Sequence, residues 1–340
     1  MTLTSLEDLR AAQARVRGHV VRTPLVPFPL EEFWLKPESL QPTGAFKLRG
    51  AFNALLSLPE DARTRGVVAH SSGNHAQAVA YAARQLAIPA VIVMPGKAPR
   101  LKLDLTRALG AEVVVVGDAS VDRERRAGEL GRERGLTPIP PYDDARIIAG
   151  AGTVGLEILE DLPDVGTVLV PVSGGGLISG VAAALKLQRP DVRVIGVEPE
   201  LAADARDSLR RGERVAYPAE QVGATLADGL RVQQLGELTW AHVRAFVDDI
   251  VTVTEAELRR AARDAALRAR LVTEPSGAVT VAAALYHRAE LGEAGPLVAG
   301  GRAQRREPRP RPAGRTAHGR GGVRADAVGI RDRAALPGES

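Results

Sequence analysis

Short, nearly uninterrupted apolar runs recur along this chain, and stretches with apolar residues at helical spacing lie between them. The runs are Gly66-Val-Val-Ala-His70, Ala90-Val-Ile-Val-Met94, Glu112-Val-Val-Val-Val116, Thr167-Val-Leu-Val-Pro-Val172 and Val192-Arg-Val-Ile-Gly-Val197. Helical patterns cover 74–86, 100–109, 121–134 and 177–187. A strand that is apolar on both faces must be covered on both faces, and strand–helix–strand succession achieves this with parallel strands. The expected fold class is α/β, with open, mostly parallel sheets flanked by helices. Ligands in such sheets sit beyond the carboxyl ends of the strands. That places Ser71-Ser-Gly-Asn-His75 and Ser173-Gly-Gly-Gly-Leu177, each directly after an apolar run, at the expected ligand positions.

Two further segments punctuate the pattern. Pro140-Pro-Tyr-Asp-Asp144 and Gly150-Ala-Gly-Thr-Val-Gly155 read as a junction between two lobes. A later helical pattern, Glu255–Leu271, follows Thr254, which can cap it with Glu257 three positions on.

Three segments carry chemistry. In Glu38-Ser-Leu-Gln-Pro-Thr-Gly-Ala-Phe-Lys47-Leu-Arg-Gly50 a lysine follows a tight turn and an aromatic residue. A lysine used as a nucleophile must lose its charge, which a confined site favours, and it then forms an imine with a carbonyl group. Gly174-Gly-Gly176 lies between the run ending at Val172 and the helical pattern from Leu177, the setting in which backbone N–H groups cradle a phosphate. Ser71–His75 begins a helix, where free N–H groups can hold a carboxylate. Read singly, these are an ordinary solvated lysine, a flexible loop and a helix cap. Their succession in one chain makes the combined reading the stronger one.

Together the three segments resemble those of the fold-type II pyridoxal phosphate enzymes, in particular the threonine/serine dehydratase and serine racemase group, over residues 5 to 299. The resemblance implies a two-domain, tryptophan synthase β-like fold. A large cofactor-binding domain would comprise 1–46 and 145–301, and a small mobile domain 47–144. It implies that Lys47 forms the imine with pyridoxal 5'-phosphate beside Phe46, and that Asn74 meets the cofactor's ring hydroxyl. Ser173, Gly174, Gly175, Gly176 and Leu177 would hold the phosphate. Ser71, Ser72, Gly73, Asn74 and His75 would take the substrate carboxylate, with Ser72 facing Lys47 as a second acid/base group. Glu274 becomes a wall of the site. In serine racemase-like members a Glu, an alanine carbonyl and an Asp hold a divalent cation, and Glu198, Ala202 and Asp204 match that spacing. Oxygen ligands of this kind suit Mg²⁺ or Ca²⁺; the plain reading is a solvated acidic loop.

The implied activity is that of a lyase converting L-threonine to 2-oxobutanoate and L-serine to pyruvate, each with ammonia, serine racemase being the nearest rival. From another class, an inactive binding protein or an arginine tail that binds nucleic acid remains open. Local departures are Ala151, where a glutamine is common, and a short segment between Thr23-Pro-Leu25 and Trp34-Leu-Lys36.

The net charge of +4 comes from the end of the chain. Residues 302–340 hold ten arginines, no lysine and four acids, so the remainder is slightly acidic. A basic tail is no evidence for a nucleic-acid-binding body, and none is expected. The tail, rich in Arg, Pro and Gly, is expected to be disordered. Relatives of the resembled kind close with an apolar strand and then Ser-Gly-Gly-Asn. Here Leu297-Val-Ala299 leads into Gly-Gly-Arg, and that terminal strand is expected to be lost. A one-base shift near Ala299 lets the codons of Gln304–Glu307 read Ser-Gly-Gly-Asn, so a slipped frame is the expected origin of the tail. With no cysteine, no secretory signal pattern and no long apolar run, a cytoplasmic protein without membrane partners is expected, acting on a small hydroxy amino acid and forming a homo-oligomer.

Overall fold

The structure is a computed structural model that describes residues 2–71, 73–98, 100–292 and 297–299. The expected tail and its shifted frame lie outside the described residues, as does Ser72. Among the described residues no helix is long and apolar enough to cross a membrane.

Among the described residues ten strands alternate with helices: β1 Val26–Pro27, β2 Phe33–Leu35, β3 Val67–His70, β4 Ala90–Pro95, β5 Glu112–Val116, β6 Thr137–Pro138, β7 Thr167–Pro171, β8 Arg193–Pro199, β9 Asp249–Val253 and β10 Leu297–Val298. They form a six-stranded sheet in the order β1-β2-β10-β7-β8-β9 and a four-stranded sheet in the order β5-β4-β3-β6. Each of these pairings is parallel except β1 with β2. The five apolar runs are strands within two residues of their expected bounds.

The helices are α1 Leu6–Val16, α2 Lys47–Leu56, α3 Glu60–Arg65, α4 Asn74–Gln85, α5 Arg100–Ala108, α6 Ser120–Arg134, α7 Ala145–Asp161, α8 Gly176–Lys186, α9 Asp204–Arg211, α10 Ala219–Gly223, α11 Glu237–Phe246, α12 Glu255–Leu267, α13 Pro275–Tyr286 and α14 Arg288–Leu291. Leu48, Phe52 and Leu55 of α2 share one buried cluster with Ala76, Val79 and Ala83 of α4 and Ile92 of β4. Burial of each large side chain there contributes about 1.5–3 kcal/mol, which fixes the lysine-bearing helix against the four-stranded sheet.

Three expectations are corrected. Gly150–Gly155 is no junction but the interior of α7. A Cβ on Gly150 would lie 2.6 Å from the Arg49 carbonyl oxygen, and one on Gly152 would lie 2.2 Å from Leu9 and 2.8 Å from the Gly180 carbonyl oxygen. These glycines let the backbones of α2 and α8 and the Leu9 side chain of α1 approach α7 closely, which outweighs their poor helix propensity. Second, α12 ends at Leu267 rather than Leu271: Arg270 takes a left-handed φ of 56°, and the Leu271 N–H turns back to the Ala265 carbonyl. Its expected start holds, with Thr254 and Glu257 forming a reciprocal capping box. Third, part of the terminal strand is present, the run expected at 300–303 lying outside the described residues. Leu297 and Val298 pair on one side with Phe33 and Trp34 and on the other with Thr167 and Val168, in the interior of the large sheet. Apolar burial on both faces makes even this short piece a strand, with both residues 4% exposed or less.

Candidate active site

Lys47 is the first residue of α2, preceded by Phe46 in helical conformation. Its amine lies 5.1 Å from the Phe46 ring centroid and donates a 2.5 Å hydrogen bond to the Pro141 carbonyl. Loss of hydration draws its pKa down from 10.5 to about 8. Such an amine is neutral in roughly one molecule in ten at pH 7, against fewer than about one in a thousand for an ordinary lysine, which favours its use as a nucleophile or base.

The two loops expected to bind anions follow β3 and β7. Gly73 is the N-cap of α4, and no side chain among the described residues caps that helix; the Ser71 hydroxyl instead accepts from the Gly73 N–H at 3.1 Å. Neither Ser71 nor Asn74 therefore caps that helix, and first-turn amides without an intrahelical partner suit an anion. His75 is 2% exposed, and its Nε2 donates to the Ile139 carbonyl at 2.9 Å. Burial, with the charge of Lys47, pushes its pKa down to about 3, so the ring is neutral. Its Nδ1 is buried with no partner among the described residues.

Gly175 (φ +90°) caps α8, and a Cβ there would lie 2.8 Å from Leu235 and Thr239. Gly174 and Gly176 lie under Tyr142: a Cβ on Gly174 would come 2.4 Å from its ring. Glycine is thus required along this turn. The Ser173 hydroxyl is buried without a partner among the described residues, an orphan that a phosphate oxygen would satisfy. The residues present fit the phosphate of pyridoxal phosphate.

The Asn74 amide donates to Glu274 Oε1 at 2.7 Å, and Lys102 pairs with Asp228 at 3.0 Å. Asn74 and Lys102 belong to helices beside the small sheet, whereas Glu274 and Asp228 belong to segments beside the large one. Glu274 is the N-cap of α13, in keeping with a wall of the site. Lys102 went unread in the sequence, and no role was expected of Asp228 or Tyr142. Tyr142 had a signal in its place in the Pro-Pro-Tyr-Asp-Asp segment, and Asp228 in the turn Ala227-Asp-Gly229.

Glu198 and Asp204 lie at the end of β8 and the start of α9. Both are 1% exposed or less, so the solvated-loop reading is corrected. Glu198 accepts from the Ala205 and Arg206 N–H groups at 3.1 and 2.8 Å. Burial, and then the charge of Asp204, raises its pKa well above the ordinary range, and burial raises Asp204 to about 7. Asp204 Oδ2 has no partner among the described residues.

A family model described as pyridoxal-phosphate dependent enzyme matches residues 16–299. The chain belongs to that family. This pyridoxal-phosphate-dependent enzyme is 46% identical over 291 residues to an L-threonine ammonia-lyase of Thermotoga maritima, covering 83% of the present chain and 71% of the relative. Among solved structures it resembles the T.th. threonine deaminase, with TM-score 0.81 and 43% identity, over 89% of this chain and all of the other. It also resembles maize serine racemase, with TM-score 0.83 and 38% identity, over 86% and 90% of the two chains.

Proposed function

We propose that the enzyme is an ammonia-lyase that converts L-threonine to 2-oxobutanoate and ammonia, and L-serine to pyruvate and ammonia. The Lys47 amine carries the reading: it heads α2, is desolvated to a pKa of about 8, and lies in a chain closely related to a threonine ammonia-lyase. When bound, pyridoxal phosphate accepts the electron pair left at the substrate's Cα. Lys47 holds the aldehyde and, once released, takes the α-proton. The first-turn amides of α4 hold the substrate carboxylate, and Ser173–Leu177 hold the phosphate. Loss of the β-hydroxyl as water, followed by entry of water and departure of ammonia, balances the reaction. Two separate sheets support the division into a large domain, 1–46 and 145–301, and a small mobile one, 47–144.

Incubation with L-threonine and with L-serine is expected to release 2-oxobutanoate and pyruvate with equimolar ammonia. D-serine as the main product would reject this reading in favour of the racemase, in which Ser72 is the second base.

Glu198, the Ala202 carbonyl and Asp204 are proposed to hold Mg²⁺ or Ca²⁺. Two buried carboxyls beside one another, one with an unpartnered oxygen, fit a hard cation better than they fit a core. Millimolar Mg²⁺ or Ca²⁺ should raise the melting temperature by several degrees, as binding to the native state requires. The same rise in Asp204→Asn would count against the site.

A further inference from the structure

We propose that Asp143 is a positioning residue for the cofactor phosphate, acting through Thr239 on the peptide between Gly174 and Gly175. The inference rests on the reading that Ser173–Leu177 cradle that phosphate.

The Asp143 carboxylate stands at the N-terminus of α11, a helix whose own N-cap, Gly236, has no side chain to offer. Its Oδ2 accepts from the Glu237 N–H and its Oδ1 from the Thr239 N–H, each at 3.0 Å. The approach is close enough to require the glycine: a Cβ on Gly236 would lie 2.3 Å from Asp143 Cγ. A residue more than ninety positions away in the chain thus supplies the missing cap.

What the cap holds in place is Thr239. Its side chain is fully buried, and its hydroxyl donates to the Gly174 carbonyl at 2.7 Å. In a planar trans peptide the C=O and the following N–H point in opposite directions. Fixing the Gly174 carbonyl toward α11 therefore aims the Gly175 N–H away from α11. A peptide between two glycines, the second at φ +90°, has little intrinsic resistance to turning over. Thr239 supplies most of that resistance, the Gly236 N–H being a longer donor to the same carbonyl at 3.5 Å, and Asp143 sets where Thr239 stands.

The segment that contains Asp143 also touches the other end of the cofactor site. Pro141 accepts from the Lys47 amine, and Tyr142 packs on Gly174 and Gly176. Asp144 caps α7 through the Arg146 N–H at 2.8 Å. Residues 141–144 therefore couple the amine, the phosphate turn and two helix starts, and Asp143 is the member directed at the phosphate turn.

The test uses the full chain freed of cofactor and titrated with pyridoxal phosphate or with pyridoxal, which has the same aldehyde and no phosphate, followed by visible absorbance. Asp143→Ala and Thr239→Val should each weaken pyridoxal phosphate binding by about tenfold, the scale of one well-placed hydrogen bond. Pyridoxal binding should stay unchanged, Thr239→Ser should restore the phosphate preference, and the double variant should be no worse than the poorer single one. Thr239→Val keeps the test open should Asp143→Ala fail to fold. Unchanged pyridoxal phosphate affinity in a folded variant, or parallel loss for both ligands, overturns the proposal. A wild-type chain that binds neither compound would instead overturn the functional reading and this inference with it; a wild type with a phosphate preference that the variants retain would overturn the inference alone.

Discussion

Lys47→Ala should lose both the visible band of the bound cofactor and ammonia release from L-threonine. Removing a positioned base alone costs roughly 10²–10⁴-fold in rate, and loss of the covalent attachment point adds to it. The folded protein should survive the change, because the amine is a desolvated group held by one carbonyl, and alanine is the best helix former at the head of α2. The pH dependence gives a second reading of the same residue. The folded pKa of about 8 lies below the ordinary 10.5, so between those values the unfolded chain holds a proton that the cofactor-free folded chain has released. Stability of the wild type relative to Lys47→Ala should therefore rise with pH across 8 to 10.5 and stay constant below about 8. Capture of pyridoxal phosphate should accelerate up to about pH 8 and then level off. Full turnover in Lys47→Ala, or a capture rate still climbing well above that pH, would remove Lys47 from its assigned role.

Arg49→Ala should produce the largest loss of stability. Arg49 lies in α2 two residues beyond Lys47 and is 0% exposed. Its Nε and Nη2 donate to Glu38 at 2.7 and 2.8 Å, and its Nη1 and Nη2 to Glu157 at 2.7 and 2.9 Å. Lys36 donates to Glu157 at 2.6 Å, so two cations balance two carboxylates in a buried cluster. Burial alone would lower the guanidinium's pKa, but the Glu38 and Glu157 carboxylates more than offset that and raise it. Removing one partner of such a cluster leaves an uncompensated buried charge, at about 3–5 kcal/mol. That is a large share of a typical total stability of about 5–15 kcal/mol. The melting temperature should fall by about 10 °C, at roughly 2–4 °C per kcal/mol. Arg49→Lys should recover only part of this, because a single ammonium cannot fork to both carboxylates. A shift of under about 2 °C in Arg49→Ala, less than 1 kcal/mol would give, would show that the cluster contributes little.

Much of the molecule was legible in the chain because its signals are local. Strand runs such as Thr167–Pro171 announce themselves by two-sided burial, and Thr254 with Glu257 marks a helix start, because each pattern needs only a few neighbouring residues. The Lys47 segment and the triple glycine were legible for the same reason. Strand order was not: β10 comes last in the chain yet lies between β2 and β7, and nothing in Leu297–Val298 specifies those neighbours. Gly150, Gly152 and Gly155 misled because a glycine looks the same whether it loosens a loop or admits a neighbouring helix. Asp143 was marked only by its place in the Pro-Pro-Tyr-Asp-Asp segment and Thr239 gave no usable signal, since their partners lie more than sixty positions away.

The sequence by itself determined most of the segments that become strands and helices and which chemical groups follow them: an amine, a run of free amides and a glycine turn. Only the tertiary structure decided the state of those groups. Burial against other elements keeps His75 neutral and draws Lys47 down to about 8. Packing of α11 on the phosphate turn fixes the Gly174 carbonyl, and Arg49 is charged where no water reaches it. The reason is physical: periodicity and capping are properties of neighbours along the chain, whereas desolvation, charge pairing and close backbone approach depend on which distant residues fold against them.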